Sequence, residues 1–369
     1  MGAVGAAALT RSEALTRLLA ETGFAKAERT PLAGDASTRR YERLRLGDRR
    51  AVLMDAPPSA ESAPCPPGAT PAQRRTMGWN AIARLAASRV EAFGAVANYL
   101  KSIGLAAPEI YGMDSAAGYG VLEDLGDDLY AKVIGKSAQE IPLYEAAAQL
   151  LAHVHAAEAP AKLLAPDGAA WPLLDYDALA LEGNADLFVE WVPKAENVRI
   201  DDGARARWEK VRDGLIVKAL GFPRAFTIRD YHAENLLWLP ERQGLQRIGL
   251  LDFQDAVRGW RAWDFSMLLH DARRDVSPAA HAAAISAYLK ASGASEAEFQ
   301  RELAVLGAIN IMRILGIFSR LMARDGKMRY REFMPRMWGH LARVLAHPSL
   351  SDARAFVESV AAPYLERAA

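Results

Sequence analysis

The stretch Phe226-Thr-Ile-Arg-Asp-Tyr-His-Ala-Glu-Asn235-Leu-Leu-Trp, followed by Ile248-Gly-Leu-Leu-Asp252-Phe-Gln-Asp255, limits what this chain can become more than any other segment. A short apolar run precedes each acidic residue and reads as a strand, so two strand ends are expected to bring Asp230, Asn235 and Asp252 together. Phosphoryl transfer asks for such a set: positioning, charge neutralisation, and a carboxylate that receives the nucleophile's proton. Asp230 is the expected base. Asn235, through a neutral amide oxygen, and Asp252, through its carboxylate, are the expected magnesium ligands. Singly, each residue reads as a turn former or strand-end cap; the joint spacing is what points to the chemistry.

With 369 residues, 51% of them hydrophobic, the chain can bury a large core and is long enough for two lobes. Lys+Arg and Asp+Glu number 45 each, so the basic field that accompanies nucleic-acid binding is missing and a small-molecule partner is expected. The single cysteine, Cys65, sits in a proline-rich loop without metal-ligand neighbours, and a reducing cytoplasm is the expected compartment. The N-terminus lacks a basic signal-type start, and no segment reads as approaching the roughly 20 apolar residues of a bilayer span, so no membrane is expected. A monomer or weak oligomer is the default assembly.

Arg11 to Ala20 has helical spacing of Leu15, Leu18 and Leu19, with Gly23 as its stop. Leu32 to Tyr41 is a small, polar turn leading into a strand, and Ala51 to Met54 is the next strand. The prolines of Ala56 to Ala72 predict a surface loop. Arg89 to Ile103 and Pro142 to Ala157 are helical, while Tyr119 to Gly126 is a strand breaking into a Gly/Asp turn that suits a connection between lobes. From Trp263 onward the pattern is helical. A sheet-rich first third and a helix-rich remainder predict an α+β, bilobal molecule, divided into residues 1–124 and 125–369.

These motifs resemble the aminoglycoside phosphotransferase and choline kinase-like family, the small-molecule branch of the protein-kinase-like fold. Arg229 to Asn235 is similar to its catalytic loop and Leu251 to Asp255 to its metal loop. Ala33 to Tyr41, Met54 to Pro58, Asp252 to Gly259, Leu315 to Leu321 and Arg324 to Lys327 resemble, within it, the anomeric N-acetylmuramate/N-acetylglucosamine kinases of peptidoglycan recycling. The resemblance implies ATP and Mg2+ as cofactors and transfer to the C1 hydroxyl of an amino sugar. It assigns Gly34 and Ser37 to a hairpin whose backbone N–H groups approach phosphate. Glu123 and Leu125 fall in the hinge whose main chain pairs with adenine.

Two departures stand out. The strand Ala51 to Met54 carries no lysine for the ATP phosphates, which leaves the helix candidate Glu91 without an obvious partner; Arg39 or Arg40 is the expected substitute. Ile228 stands where the family often has histidine. His232 reads as a loop-orienting residue and Asp264 as a helix cap, while Asp255 either orients the magnesium loop or touches substrate. Asp175 and Glu190, in the polar and aromatic stretch Trp171 to Trp191, are candidates for the sugar, and Arg258 and Arg313 for a lactyl carboxylate. Other small-alcohol acceptors (an aminoglycoside, an amino alcohol, another sugar) and a nucleotide-binding regulator without catalysis remain open at this level.

Overall fold

The computed structural model describes residues 10–32, 39–58, 66, 68–77, 89–136 and 138–367; Gly34, Ser37 and Cys65 lie outside them. Helix α1 (Arg11–Glu21) starts at a capping box in which Thr10 and Glu13 satisfy each other's backbone N–H groups. It lies on a five-stranded antiparallel sheet built from β1 (Glu28–Pro31), β2 (Arg40–Leu46), β3 (Arg49–Asp55), β4 (Ile110–Asp114) and β5 (Tyr119–Leu122), in the order β1-β2-β3-β5-β4. The period-two geometry of β3 splits its side chains. Ala51 and Leu53 join Leu18, Leu19 and Phe24 on the α1 face, and Met54 turns to the opposite face.

That opposite face is covered by α3 (Val90–Ser102), which follows α2 (Pro71–Met77) and buries Val90, Phe93, Val96 and Leu100 at helical spacing. Pro71 is the first residue of α2, a position where its missing N–H costs nothing; a short helix thus begins at the end of the expected proline loop.

Beyond β5 the chain is mostly helical. Short α4 (Tyr130–Val133) leads to α5 (Glu140–Ala156), the small hairpin β6 (Lys162–Leu164) with β7 (Ala170–Pro172), then α6 (Ala178–Ala185), α7 (Leu187–Ala195) and α8 (Asp202–Leu220). Four short strands follow: β8 (Arg224–Thr227), β9 (Leu236–Trp238), β10 (Ile248–Leu250) and β11 (Val257–Trp260). Helices α9 (Arg261–Leu269), α10 (Pro278–Ser292), α11 (Glu296–Ala323), α12 (Met334–Leu345) and α13 (Ser351–Glu366) complete the molecule. The expected α+β architecture, a sheet-bearing N-terminal part and a helical C-terminal part, is the one observed.

Helix α11 corrects one expectation. Among the described residues it alone is long and apolar enough to cross a membrane, but it is buried along nearly its whole length, so it is the central core helix. It packs on α7 so closely that a Cβ at Gly316 would come within 2.4 Å of the Leu187 carbonyl. Glycine is what permits that approach.

Candidate active site

Strand β8 pairs with β11 and β9 with β10, which sets the loop 228–235 beside the loop 251–256. The Leu251 N–H donates to the Asn235 carbonyl at 3.0 Å, tying the two loops together. Among the described residues, only Arg229 (φ 77°) and Asp252 (φ 53°) are non-glycine residues in the left-handed region, one in each loop. Such backbone strain persists only where surrounding contacts hold it.

Asp264 holds the first of them. Its carboxylate, with no solvent exposure, accepts the N–H of Ile228 at 2.8 Å and of Arg229 at 2.7 Å, and lies 3.3 Å from His155 Nε2. The expectation that Asp264 caps a helix is therefore corrected: Trp260 occupies the N-cap of α9, and Asp264, one turn further in, anchors the loop that presents Asp230. The second loop is held by Phe253, fully buried and stacked on Phe93 of α3 with ring centroids 4.8 Å apart. Residue 252 is thus positioned by the helix that covers the sheet.

Asn235 donates its amide nitrogen to the Asp230 carbonyl at 2.8 Å, and the same nitrogen lies 3.3 Å from His232 Nε2. With its donors engaged, its side-chain oxygen is left as a ligand. His232 is buried in the same loop, between Asp230 and Asn235 in sequence. Asp252 forms an ion pair with Arg39 at 2.5 Å and accepts from the Gln254 amide at 3.0 Å. Partial burial works to raise its carboxyl pKa, but Arg39 and Gln254 hold it below the usual range. An anionic oxygen from Asp252 and a neutral one from Asn235 fit a hard divalent cation that takes its remaining ligands from phosphate and water. Among the described residues no group of three or more His, Cys, Asp or Glu side chains is placed to form a metal cage.

Arg39 precedes β2 and crosses from the sheet to the second loop, while Arg40 is exposed on β2 opposite Asp55. Met54 of β3 is fully buried, and Glu91 pairs with Arg89 at 2.6 Å. Glu123 and Leu125 follow β5 directly, half-buried, with Glu123 bound to Arg242 at 2.5 Å. Arg43 of β2 reaches into this connection, binding Asp124 at 2.8 Å and Asp127 at 3.0 Å.

Beneath the loops, Asp255 faces Arg229 at 3.7 Å. Burial, partly offset by Arg229, pushes the Asp255 carboxyl up to about 6. Among the described residues, Asp255 Oδ1 and the Nε and Nη1 of Arg229 are buried without hydrogen-bond partners.

A cleft of about 220 Å³ opens over Asp230, His232 and Asp252. Its polar wall continues with Asp271, Arg273 and Arg313, and its apolar wall is Met267, Ile314, Ile317 and Phe318. Arg313 is 8% exposed and donates to Asn310 at 3.0 Å; burial lowers its pKa, and Tyr176, Asp230 and Asp255 nearby only partly offset this. Of the four expected sugar contacts only Arg313 lines the cleft. Asp175 and Arg258 bind each other in a two-pronged ion pair, 2.6 and 2.7 Å, because the outward register of β11 points Arg258 to solvent, and Glu190 is exposed on α7. The sequence reading missed Asp271 and Arg273, which follow α9 with no motif to mark them.

The family model described as "Phosphotransferase enzyme family" matches residues 28–303. The N-acetylmuramate/N-acetylglucosamine kinase of Caulobacter vibrioides is 51% identical over 94% of this chain and 96% of its own length. The enzyme of that name from Pseudomonas aeruginosa is 31% identical over 88% and 86%. In fold, the chain is similar to a choline/ethanolamine kinase family protein from Mesorhizobium loti (TM-score 0.55, 18% identity, 94% of this chain and 99% of that one). It is similar too to the ADP-bound aminoglycoside phosphotransferase APH(2'')-Ib (TM-score 0.52, 13% identity, 89% and 96%). A catalytic-type loop and a metal-type loop held edge to edge under a five-stranded sheet, and a family match across most of the length, lead to one assignment: the chain belongs to the phosphotransferase enzyme family.

Proposed function

We propose that the chain is an ATP-dependent kinase that phosphorylates the C1 hydroxyl of N-acetylmuramate and N-acetylglucosamine, sugars released when peptidoglycan is recycled. The observation that carries this reading is the 51% identity, over 94% of the chain, to the Caulobacter vibrioides kinase of that name. Residues 1–124 form the nucleotide half and 125–369 the acceptor half, acting in the cytoplasm as a monomer or weak oligomer.

In this reading the Asp230 carboxylate, in the wall of the cleft, orients the C1 hydroxyl and takes its proton. Asn235 and Asp252 hold magnesium, which when bound neutralises charge on the transferred phosphoryl group. Arg39, already at Asp252, supplies from the sheet side the cation that Ala51 to Met54 lacks, its guanidinium being suited to two phosphate oxygens. The main chain at Glu123 and Leu125 meets adenine, and Gly34 and Ser37, outside the described residues, meet phosphate. The apolar wall of Ile314, Ile317 and Phe318 takes the acetamido methyl and one face of the ring.

The test is ADP release with ATP, magnesium and a panel of sugars and aminoglycosides. Acceleration by the two N-acetyl sugars, with a sugar 1-phosphate identified by phosphorus NMR, is the expected result. Acceleration by neither of them would remove the assignment.

A further inference from the structure

Two arginines line the acceptor cleft, and they differ in how their charge is compensated. Arg313 is 8% exposed and donates to the neutral amide oxygen of Asn310. Arg273, at the rim, forms an ion pair with Glu234 at 2.7 Å, the two side chains being 28% and 44% exposed. Glu234 belongs to the same loop as Asp230 and Asn235 and immediately precedes Asn235. The Arg273 backbone is fixed as well, its N–H donating to Asp271 Oδ1 at 2.9 Å.

The two acceptors assigned above differ at one place: the C3 oxygen carries a lactyl ether with a carboxylate in one and is a plain hydroxyl in the other. C3 lies two ring carbons from C1. A substituent there stays within the same cleft, whose lining includes both Arg273 and Arg313. An enzyme that takes both sugars needs a cation for the carboxylate that is not stranded when the carboxylate is missing, since an unpaired charge in a closed site is costly. Arg273 meets that condition. Glu234 occupies its guanidinium when the acceptor is neutral, and the ligand's carboxylate can share or replace that contact at little desolvation cost, because the pair is already partly hydrated.

We infer that Arg273 is the specificity-determining cation for the lactyl carboxylate, with Glu234 as its built-in carboxylate stand-in. This rests on the acceptor assignment made above and goes beyond it by naming the residues that allow one cleft to accept a charged and an uncharged sugar.

The experiment compares kcat/KM for both sugars in the wild type, Arg273→Gln, Arg273→Lys and Glu234→Gln. Arg273→Gln is expected to lower kcat/KM for N-acetylmuramate by about tenfold to a hundredfold, mainly through KM, and to change that for N-acetylglucosamine by less than about threefold. Arg273→Lys recovers part of the loss, and Glu234→Gln shifts the ratio further toward N-acetylmuramate. Added salt weakens the wild type's use of N-acetylmuramate more than its use of N-acetylglucosamine, a difference that Arg273→Gln abolishes. An equal loss on both sugars, or no change on either, overturns the inference while leaving the functional reading intact. A wild type that phosphorylates neither sugar overturns both.

Discussion

A carboxylate with no solvent exposure, Asp264, fixes the backbone from which Asp230 projects, by accepting two adjacent N–H groups. In Asp264→Ala both N–H groups lose their partner inside the core, and Arg229 loses what holds its left-handed backbone. The expected cost is about 3 kcal/mol or more, read as a lower melting temperature with loss of turnover. Asp230→Asn should behave in the opposite way: the fold and nucleotide affinity are kept while kcat falls by about two to four orders of magnitude. Calorimetric titration with ADP and a turnover assay separate the two cases; retained turnover in Asp230→Asn removes that residue from the role of base. That the loops carrying Asp230, Asn235 and Asp252 lie together could be read from the sequence, because their identities and spacing lie within short local runs. Asp264 could not be read correctly: its partners are 35 and 36 positions away, and only the fold brings them within reach. Arg273 was hidden for a related reason, since its ion pair joins it to Glu234, far away in the sequence, and no motif marks the arginine.

At the scale of elements, the sheet and the helical part meet at the second loop through two side-chain contacts of different kinds. Phe253 stacks on Phe93 of α3, and Arg39 reaches Asp252 from the start of β2. The apolar contact sets where Asp252 sits, and the ionic one sets what it faces. Phe93→Ala is expected to cost about 3–5 kcal/mol as a core truncation and to weaken ATP use beyond what instability explains, because α3 no longer seats the loop. Chemical denaturation and the KM for ATP, measured where the variant is fully folded, test this; an unchanged KM removes the coupling. Helices α1, α3 and α5 were legible within a few residues, since their apolar spacing is local. Arg258 shows where such reading stops. Its motif placed it beside the metal loop, but a strand alternates its side chains, and the register of β11 gave Arg258 to Asp175 on the outside.

Taken as a whole, the molecule also contains a histidine cluster behind the cleft that makes its stability depend on pH. His270 lies with ring centroids 5.3 Å from His340 and 6.3 Å from His281, and Arg343 approaches His340 Nδ1 at 2.6 Å. Burial, then Arg343, pushes the His340 pKa down to about 4; burial and neighbouring charge also hold His270 well below its usual value and His281 below it. Each of the three rings therefore binds a proton less readily in the folded chain than in the unfolded one. The stabilisation this represents is fully present above pH 6.5, the ordinary histidine value, and is lost as pH falls toward 4, with His340 contributing on the order of 3 kcal/mol. Urea midpoints at a series of pH values should fall across that window, and His340→Gln should flatten the fall; an equal slope in the variant removes the cluster as its cause. The long apolar helix α11 has a consequence at a different moment, during synthesis. A segment of its length and composition, emerging bare from the ribosome, has the composition that insertion machinery and chaperones recognise. Its principal partner α7, whose Leu187 carbonyl faces Gly316, lies more than a hundred residues earlier and has already emerged, so the helix can dock as it appears.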